Sequence, residues 1–424
     1  MLGDRVRTHD RWRERVSRQQ PSHRDVRRVD GPVSRPSRRD RRVSGRDSGG
    51  AVQPAGPGVP AKTGTAHRNN FDALRIAAAL AVIVGHGFEL TGHASAVPRV
   101  LGFPLHTLGV QVFFIISGYL IATSWIRSPR LTHYLRNRAL RIFPALAAVV
   151  LASVFILGPI ISSLSVSEYF RSDRTWNYLL NIFLRPVYDL PGVFSENAFS
   201  HSVNGSLWTL PIEFACYLFV PILLFVKRPA LAVLVFALAS VGVSRFVDEP
   251  LIAYGTSWQR AFGLWVAFAA GMLMAVLSRK IQRRADVALV LLVVQVLVAA
   301  SFDPPTARAV AWITLPYVVI TFGMMSTPGL RSVSRFGDIS YGLYIFAFPV
   351  QQLIVMRYPG IPLAANVMIV TVVTALLAFA SWHAIEKHAL RLKARPSRGR
   401  PEAARDANAV RGPATGEGPA ALET

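Results

Sequence analysis

Arg75 and His86 stand eleven residues apart in the apolar stretch FDALRIAAALAVIVGHGFEL. At about 3.6 residues per turn they fall on one helix face, separated by roughly 16 Å along the axis. An imidazole held within such a helix titrates in the range a general base needs, and it can also accept an acyl group for a short time. Arg75, near the start of the stretch, can snorkel to the water edge. Asp72, three residues earlier, is placed to pair with it. A lone histidine in a span is usually a core residue bonded to a neighbouring helix. An arginine in register with it tips the reading toward function.

Two further sets carry chemistry. In RNRALRIFP, Arg138 and Arg141 are i and i+3 and share a face. Guanidinium forks recognise phosphate bidentately, a spacing that a general excess of basic residues does not explain. In NGSLWTLPIEFACY, Ser206 and Glu213 are seven apart and Thr209 and Glu213 four apart, again one face. A carboxylate in a span needs a cationic or hydrogen-bonding partner. Glu213 is therefore expected to orient His86 or an acceptor hydroxyl, or else to sit in a structural ion pair. Pro211 is expected to kink this helix and free a carbonyl. Tyr341, Tyr344, Gln351 and Gln352 can line a polar cavity. Ser117, Gly118, Ser340 and Gly342 suit close helix packing. Ser117 is not in a G-x-S-x-G elbow, so a serine-hydrolase reading fails. No His/Asp/Glu cluster has metal-ligand spacing. The single cysteine, Cys216, excludes an internal disulfide.

The elements that must hold these groups are membrane helices. The 424 residues are 51% hydrophobic and 17% charged, well below the roughly 25% charge of a soluble chain. A net charge of +23 fits a nucleic-acid binder only in a chain less apolar than this one, so no nucleic-acid partner is expected. A span needs roughly 20 apolar residues. Candidates are 72–91, 107–126, 142–161, 206–226, 230–247, 258–277, 285–301, 309–327, 340–356 and 363–385. The expected fold is an all-α polytopic bundle of about ten transmembrane helices. The segment 175–185 is too short to span and is expected at the outer interface or as a re-entrant piece.

Arginine and lysine alternate between the connections. Arg127, Arg130, Arg136, Arg138 and Arg141 fall on one side, with Lys227, Arg228, Arg279, Lys280, Arg283, Arg284, Arg331 and Arg335. The other side is mixed or acidic: Glu89, Arg99, Asp248, Glu249, Asp303, Arg308 and the long connection 162–205. The positive-inside rule then makes both termini cytoplasmic, in a multi-pass protein of the plasma (inner) membrane. Residues 1–67 read as a disordered basic arm, with 15 arginines against 7 acidic residues in the first fifty and no apolar core of a signal peptide. Residues 68–388 form the membrane domain. Residues 389–424 read as a disordered cytoplasmic tail.

These motifs, in this order, resemble the acyltransferase 3 family of integral-membrane acyltransferases. The similarity rests on DALRIAAALAVIVGH with its arginine, ten residues and histidine, then on FFIISGYLI, RNRALRIFP, NGSLWTLPIEF, ISYGLYIFAFP and the closing SWHAIEK. It covers about Arg68 to Lys387. The resemblance implies transfer of an acyl group, most often acetyl, from cytoplasmic acyl-CoA to a hydroxyl of a cell-envelope carbohydrate or glycolipid. It implies His86 and Glu213 as catalytic residues. Arg75, Arg138 and Arg141 would serve the CoA phosphates, and Ser206, Trp208 and Tyr341 would help bind substrate. No permanently bound cofactor is implied. Many members carry a histidine where this chain has Ala347. Some relatives carry a fused extracytoplasmic domain; here transfer is expected to finish at the membrane site.

In the expected mechanism the phosphates dock on the arginines, the pantetheine arm reaches inward, and the thioester lies near His86. The acceptor enters from the opposite side, where 162–205 shapes a mouth. The alternative is a transporter or flippase, with the same residues lining a pathway. Such proteins often show internal repeats, and no half-to-half repeat is evident in the sequence.

Overall fold

The computed structural model describes residues 69–246, 252–330 and 338–392. The basic arm and almost all of the tail lie outside the described residues. Ten long helices dominate: α1 Phe71–Leu90, α2 Leu105–Arg127, α3 Leu131–Ala152, α4 Thr209–Leu224, α5 Pro229–Phe246, α6 Trp258–Val276, α7 Ala285–Ser301, α8 Pro304–Met324, α9 Ser340–Arg357 and α10 Leu363–Ser381. Each overlaps one expected segment. Among the described residues, seven helical stretches are long and apolar enough to cross a bilayer. The apolar stretches Pro229–Ser244 and Ala285–Ser301 are shorter, and α9 is diluted by Tyr341, Tyr344, Gln351 and Gln352. The chain is a polytopic helical membrane protein.

Three local features depart from the expected boundaries. Helix α3 begins at Leu131, so Arg136, Arg138 and Arg141 lie inside a helix rather than in a connection. It continues through a π turn, Ser153–Leu157, to Ile161. Pro211 does not kink a long helix. It falls in the first turn of α4, just after the 3₁₀ turn Gly205–Trp208, where a missing N–H costs little. The connection 162–205 is a folded cap of short helical turns. Tyr169, Tyr178 and Asn181 are buried in it, and Asn181 exchanges hydrogen bonds with Val187 at 2.8 and 3.0 Å.

Two tight hairpins turn the chain into α2 and α6. Arg99–Val100 pairs with Phe103–Pro104, and Ile252–Ala253 with Thr256–Ser257. Both turn residues are at positive φ in each case, Leu101 and Gly102 in one, Tyr254 and Gly255 in the other, as a type I′ turn requires. The helices that follow pack through a reciprocal glycine contact. A Cβ on Gly118 of α2 would strike the Phe268 carbonyl of α6, and a Cβ on Gly271 would strike the Ile115 carbonyl of α2. Lipid supplies no hydrophobic drive between helices, so such close backbone approach carries the packing. Gly118→Ala is expected to lower stability by about 1–3 kcal/mol through overpacking. Gly242→Ala, where nothing lies within 4 Å, is expected to be neutral or slightly stabilising. Thermal melts of the detergent-solubilised variants test both.

Candidate active site

Arg75 from the second turn of α1 and Arg141 from the middle of α3 meet around Asp338, two residues before the start of α9. Arg141 Nη2 lies 2.6 Å from Asp338 Oδ2, and Arg75 Nη1 lies 3.4 Å from the same oxygen. The Ser340 hydroxyl donates to Asp338 Oδ1 at 2.7 Å. Burial opposes the charge on Asp338, but the guanidinium groups of Arg141 and Arg75 and the Ser340 hydroxyl hold its carboxyl well below the usual carboxylate range. Asp72 is a weaker partner of Arg75 at 3.7 Å.

A cavity of about 400 Å³ opens beside this cluster. Arg75, Arg138, Arg141, Glu213, Tyr217 and Asp338 give it a polar wall, and Val110, Phe113, Phe114 and Ile142 an apolar one. The i, i+3 spacing of Arg138 and Arg141 brings both side chains to it. Arg141 is neutralised by Asp338 and lies over the Tyr341 ring at 5.7 Å. Arg138 differs, since its Nε is buried without a hydrogen-bond partner among the described residues. Glu213 accepts a hydrogen bond from the Tyr217 hydroxyl, and Tyr341 donates to the Ile142 carbonyl at 3.0 Å.

A hydroxyl cluster marks the inner end of the cavity. Thr209 Oγ1 and the Tyr344 hydroxyl are 2.6 Å apart, and Tyr344 donates to the Ser206 carbonyl at 3.0 Å. Ser206 is buried one contact behind this wall and leaves its own Oγ unpartnered among the described residues. Trp208, the residue before α4, packs half-buried against the core. Gln351 and Gln352 do not line the cavity. Gln352 donates to the Phe199 and Ser202 carbonyls at 2.7 and 2.8 Å, tying the cap to α9. Gln351 bonds Asn366 at 2.8 Å.

His86 shares the continuous helix α1 with Arg75, as its spacing requires, but it is not part of the cavity wall. Between the two, Ala78, Ala79 and Val82 are buried. His86 instead stacks on His106 at 5.0 Å and meets the edge of Phe348 at 5.3 Å. Both partners sit one helical turn, about 6 Å, past a cavity residue on the same helix: His106 from Val110, Phe348 from Tyr344. Glu213 does not orient His86. Glu89 does, with Oε2 2.9 Å from His86 Nδ1. Sequence reasoning singled out neither Glu89 nor Asp338, although Glu89 stands at i+3 from His86.

The fold and this site define a membrane-embedded helical protein with a polar, arginine-lined cavity leading toward a half-buried histidine. A family model described as "Acyltransferase domain" matches residues 68–383. The chain belongs to this acyltransferase 3 family and is an O-acyltransferase. It is 31% identical over 340 residues to the O-acetyl transferase of Shigella phage Sf6, covering 76% of this chain and 97% of that relative. It is 33% identical over 190 residues to nodulation protein 10 of Rhizobium leguminosarum, 42% of this chain and 50% of the relative. It is 25% identical over 287 residues to the peptidoglycan O-acetyltransferase OatA of Listeria monocytogenes, 57% of this chain and 44% of the relative. No solved structure matches. Membership in an acyltransferase family favours group transfer over the transport alternative.

Proposed function

We propose that this enzyme moves an acetyl group from cytoplasmic acetyl-CoA to a hydroxyl of a cell-envelope carbohydrate or glycolipid. The observation that carries the donor assignment is Arg138. It is a half-buried guanidinium whose Nε is buried and unmatched among the described residues, beside Arg141 and Arg75 already paired with Asp338, in a cavity open to a long ligand. A phosphate is the natural partner of such a group. In this reading Arg75 and Arg141 hold the cavity wall and Arg138 takes the CoA phosphates. Glu213 and Tyr341 line the pantetheine path, and the thioester reaches His86 beyond the Thr209–Tyr344 contact. His86 deprotonates the acceptor or carries the acyl group. Ser206 and Trp208 shape the passage between the two.

The same reading takes all ten helices as spans, with residues 68–388 as the catalytic domain and both termini on the cytoplasmic face of the plasma membrane. The arginine-rich connections support that orientation. The carbohydrate acceptor is supported by the similarity to the Listeria relative, a peptidoglycan O-acetyltransferase. The 162–205 cap stands at the opposite end of the bundle from the Arg75–Arg141 cluster, where an acceptor would enter.

Thiol release from acetyl-CoA by membranes holding the protein tests the donor. Arg138→Gln is expected to raise KM for acetyl-CoA by about 10–100-fold, the worth of a charge-assisted hydrogen bond, with little change in the amount of folded protein. Release no greater than in empty membranes, with sugar acceptors present, would overturn the donor assignment. Activity confined to inside-out vesicles is the expected sidedness, and activity confined to right-side-out vesicles would reverse the topology.

A further inference from the structure

Glu89 lies in the last turn of α1, and its two carboxylate oxygens face different rings. Oε2 is 2.9 Å from His86 Nδ1, and Oε1 is 3.7 Å from His106 Nε2. The two imidazoles stack with their planes 16° apart. This approach depends on the residue before His86 being glycine. A Cβ on Gly85 would fall 2.6 Å from both the Cβ and the backbone nitrogen of His106. The side chains of His86, Glu89 and His106 are 18%, 26% and 20% exposed, so the cluster is walled yet reachable. His106 Nδ1 is buried without a hydrogen-bond partner among the described residues.

We propose that Glu89 is the positioning residue of the acyl-transfer site, fixing the tautomer of His86, and that His106 packs on the His86 ring and walls the far side of the carboxylate. The inference rests on the role of His86 given above. A carboxylate only accepts hydrogen bonds, so His86 Nδ1 must carry the proton and its lone pair stands on Nε2. Nε2 is then the working atom. The acceptor hydroxyl gives its proton to Nε2 as its oxygen attacks the thioester carbonyl carbon. The new C–O bond forms, the C–S bond breaks, and the departing thiolate takes the proton back from Nε2. Between these events the ring is cationic, and Glu89 stabilises it. His106, stacked on the ring with its Nε2 3.7 Å from the other oxygen, walls that side of the carboxylate.

The test uses the full-length purified protein with acetyl-CoA and sugar acceptors, and reads thiol release and acetylated sugar. Glu89→Gln is expected to lower kcat by about 10³-fold, because an amide that donates to Nδ1 forces the unproductive tautomer. KM for acetyl-CoA should stay within about threefold, since the donor cavity is untouched. The charges facing His86 are Glu89 on its own helix and His106 on α2, with Arg260 of α6 acting on the Glu89 carboxylate; α9 contributes the uncharged Phe348. A purely structural Glu89 would change the yield of folded protein and leave kcat per folded enzyme unchanged. If Glu89→Gln does not accumulate, Glu89→Asp decides, with kcat expected to fall about 10–100-fold as the shorter arm pulls away from Nδ1. Wild-type kcat in either variant overturns the proposal. His86→Ala in the same panel separates the failures. If it is inactive while the Glu89 variants are normal, only the Glu89 assignment falls; if it is active, the His86 reading falls as well.

Discussion

His86→Ala is expected to reduce acetyl transfer by at least about 10³-fold while the protein still reaches the membrane. The size follows from the general-base contribution of a positioned imidazole, about 10²–10⁴-fold, and would be larger for a covalent carrier. Folding should survive, because the ring makes one hydrogen bond, to Glu89, and two ring contacts with His106 and Phe348. Glu89 is not left as a buried unpaired charge, since its side chain is 26% exposed. Two measurements divide the chemical roles. With acceptor omitted, an acyl-carrier histidine gives a burst of thiol and a protein mass raised by one acetyl group on His86. A general base gives neither, and thiol appears only when acceptor is added. Transfer by His86→Ala at more than about a tenth of the wild-type rate would remove the histidine from the mechanism.

The position of His86 beyond the cavity gives this prediction a structural consequence. The cavity and the ring contacts of His86 are separated by about one helical turn at the level of Thr209, Tyr344 and Ser206. Under the proposed function a thioester would have to pass that hydroxyl contact to meet the imidazole. The contact is made of neutral groups that can exchange one hydrogen bond for another, so opening it exposes no buried charge.

Much of this arrangement is legible in the sequence, and what is not has a physical reason. Arg75 and His86 are found by periodicity because one unbroken helix carries both. Arg138 and Arg141 are found by their i, i+3 spacing. Hydropathy nevertheless assigns 131–141 to a connection, because it counts each arginine as a cost at the membrane. In the folded protein Asp338, nearly two hundred residues away, neutralises Arg141, and a local window cannot see such a partner. Asp338 is hidden for the same reason, since it follows a polar, arginine-bearing connection. Glu213 shows the opposite failure. Its helix face is predicted, and it does line the cavity, but which cation or base it meets depends on how α1 and α4 are rotated in the bundle. Glu89 carried a local signal at i+3 from His86, masked by its place where the span leaves the apolar layer. His106 stands one residue before the expected start of the second span, and only the glycine contact at Gly85 brings it onto His86.

Arg141→Gln is expected to be among the most destabilising single substitutions in the bundle, and the cause is the charge left behind. The side chains of Asp338 and Arg141 are only 22% and 20% exposed, and they meet at 2.6 Å, with Arg75 a longer second contact at 3.4 Å. Removing one member of a buried pair typically costs about 3–5 kcal/mol, because the remaining charge loses its compensation. Glutamine supplies one neutral hydrogen bond in return, so the lower half of that range is expected. The double variant Arg141→Gln with Asp338→Asn should recover most of the loss, since a neutral amide pair carries no uncompensated charge. Thermal melts of the two single variants and the double variant close the cycle, and additive losses would show that the pair is not coupled. The pH dependence has a definite sign. The carboxyl of Asp338 is held below its unfolded value, so the pair's contribution is fully present above the ordinary carboxylate range. It fades only as the pH falls through the lowered value. Wild-type melting should therefore be insensitive to Asp338 from about pH 5 upward. Arg138→Gln provides the contrast. Arg138 has no such partner, so its loss should appear in KM for the donor and leave the melt unchanged. Arg141 would then be a structural cation held by Asp338, and Arg138 the cation left available for a phosphate.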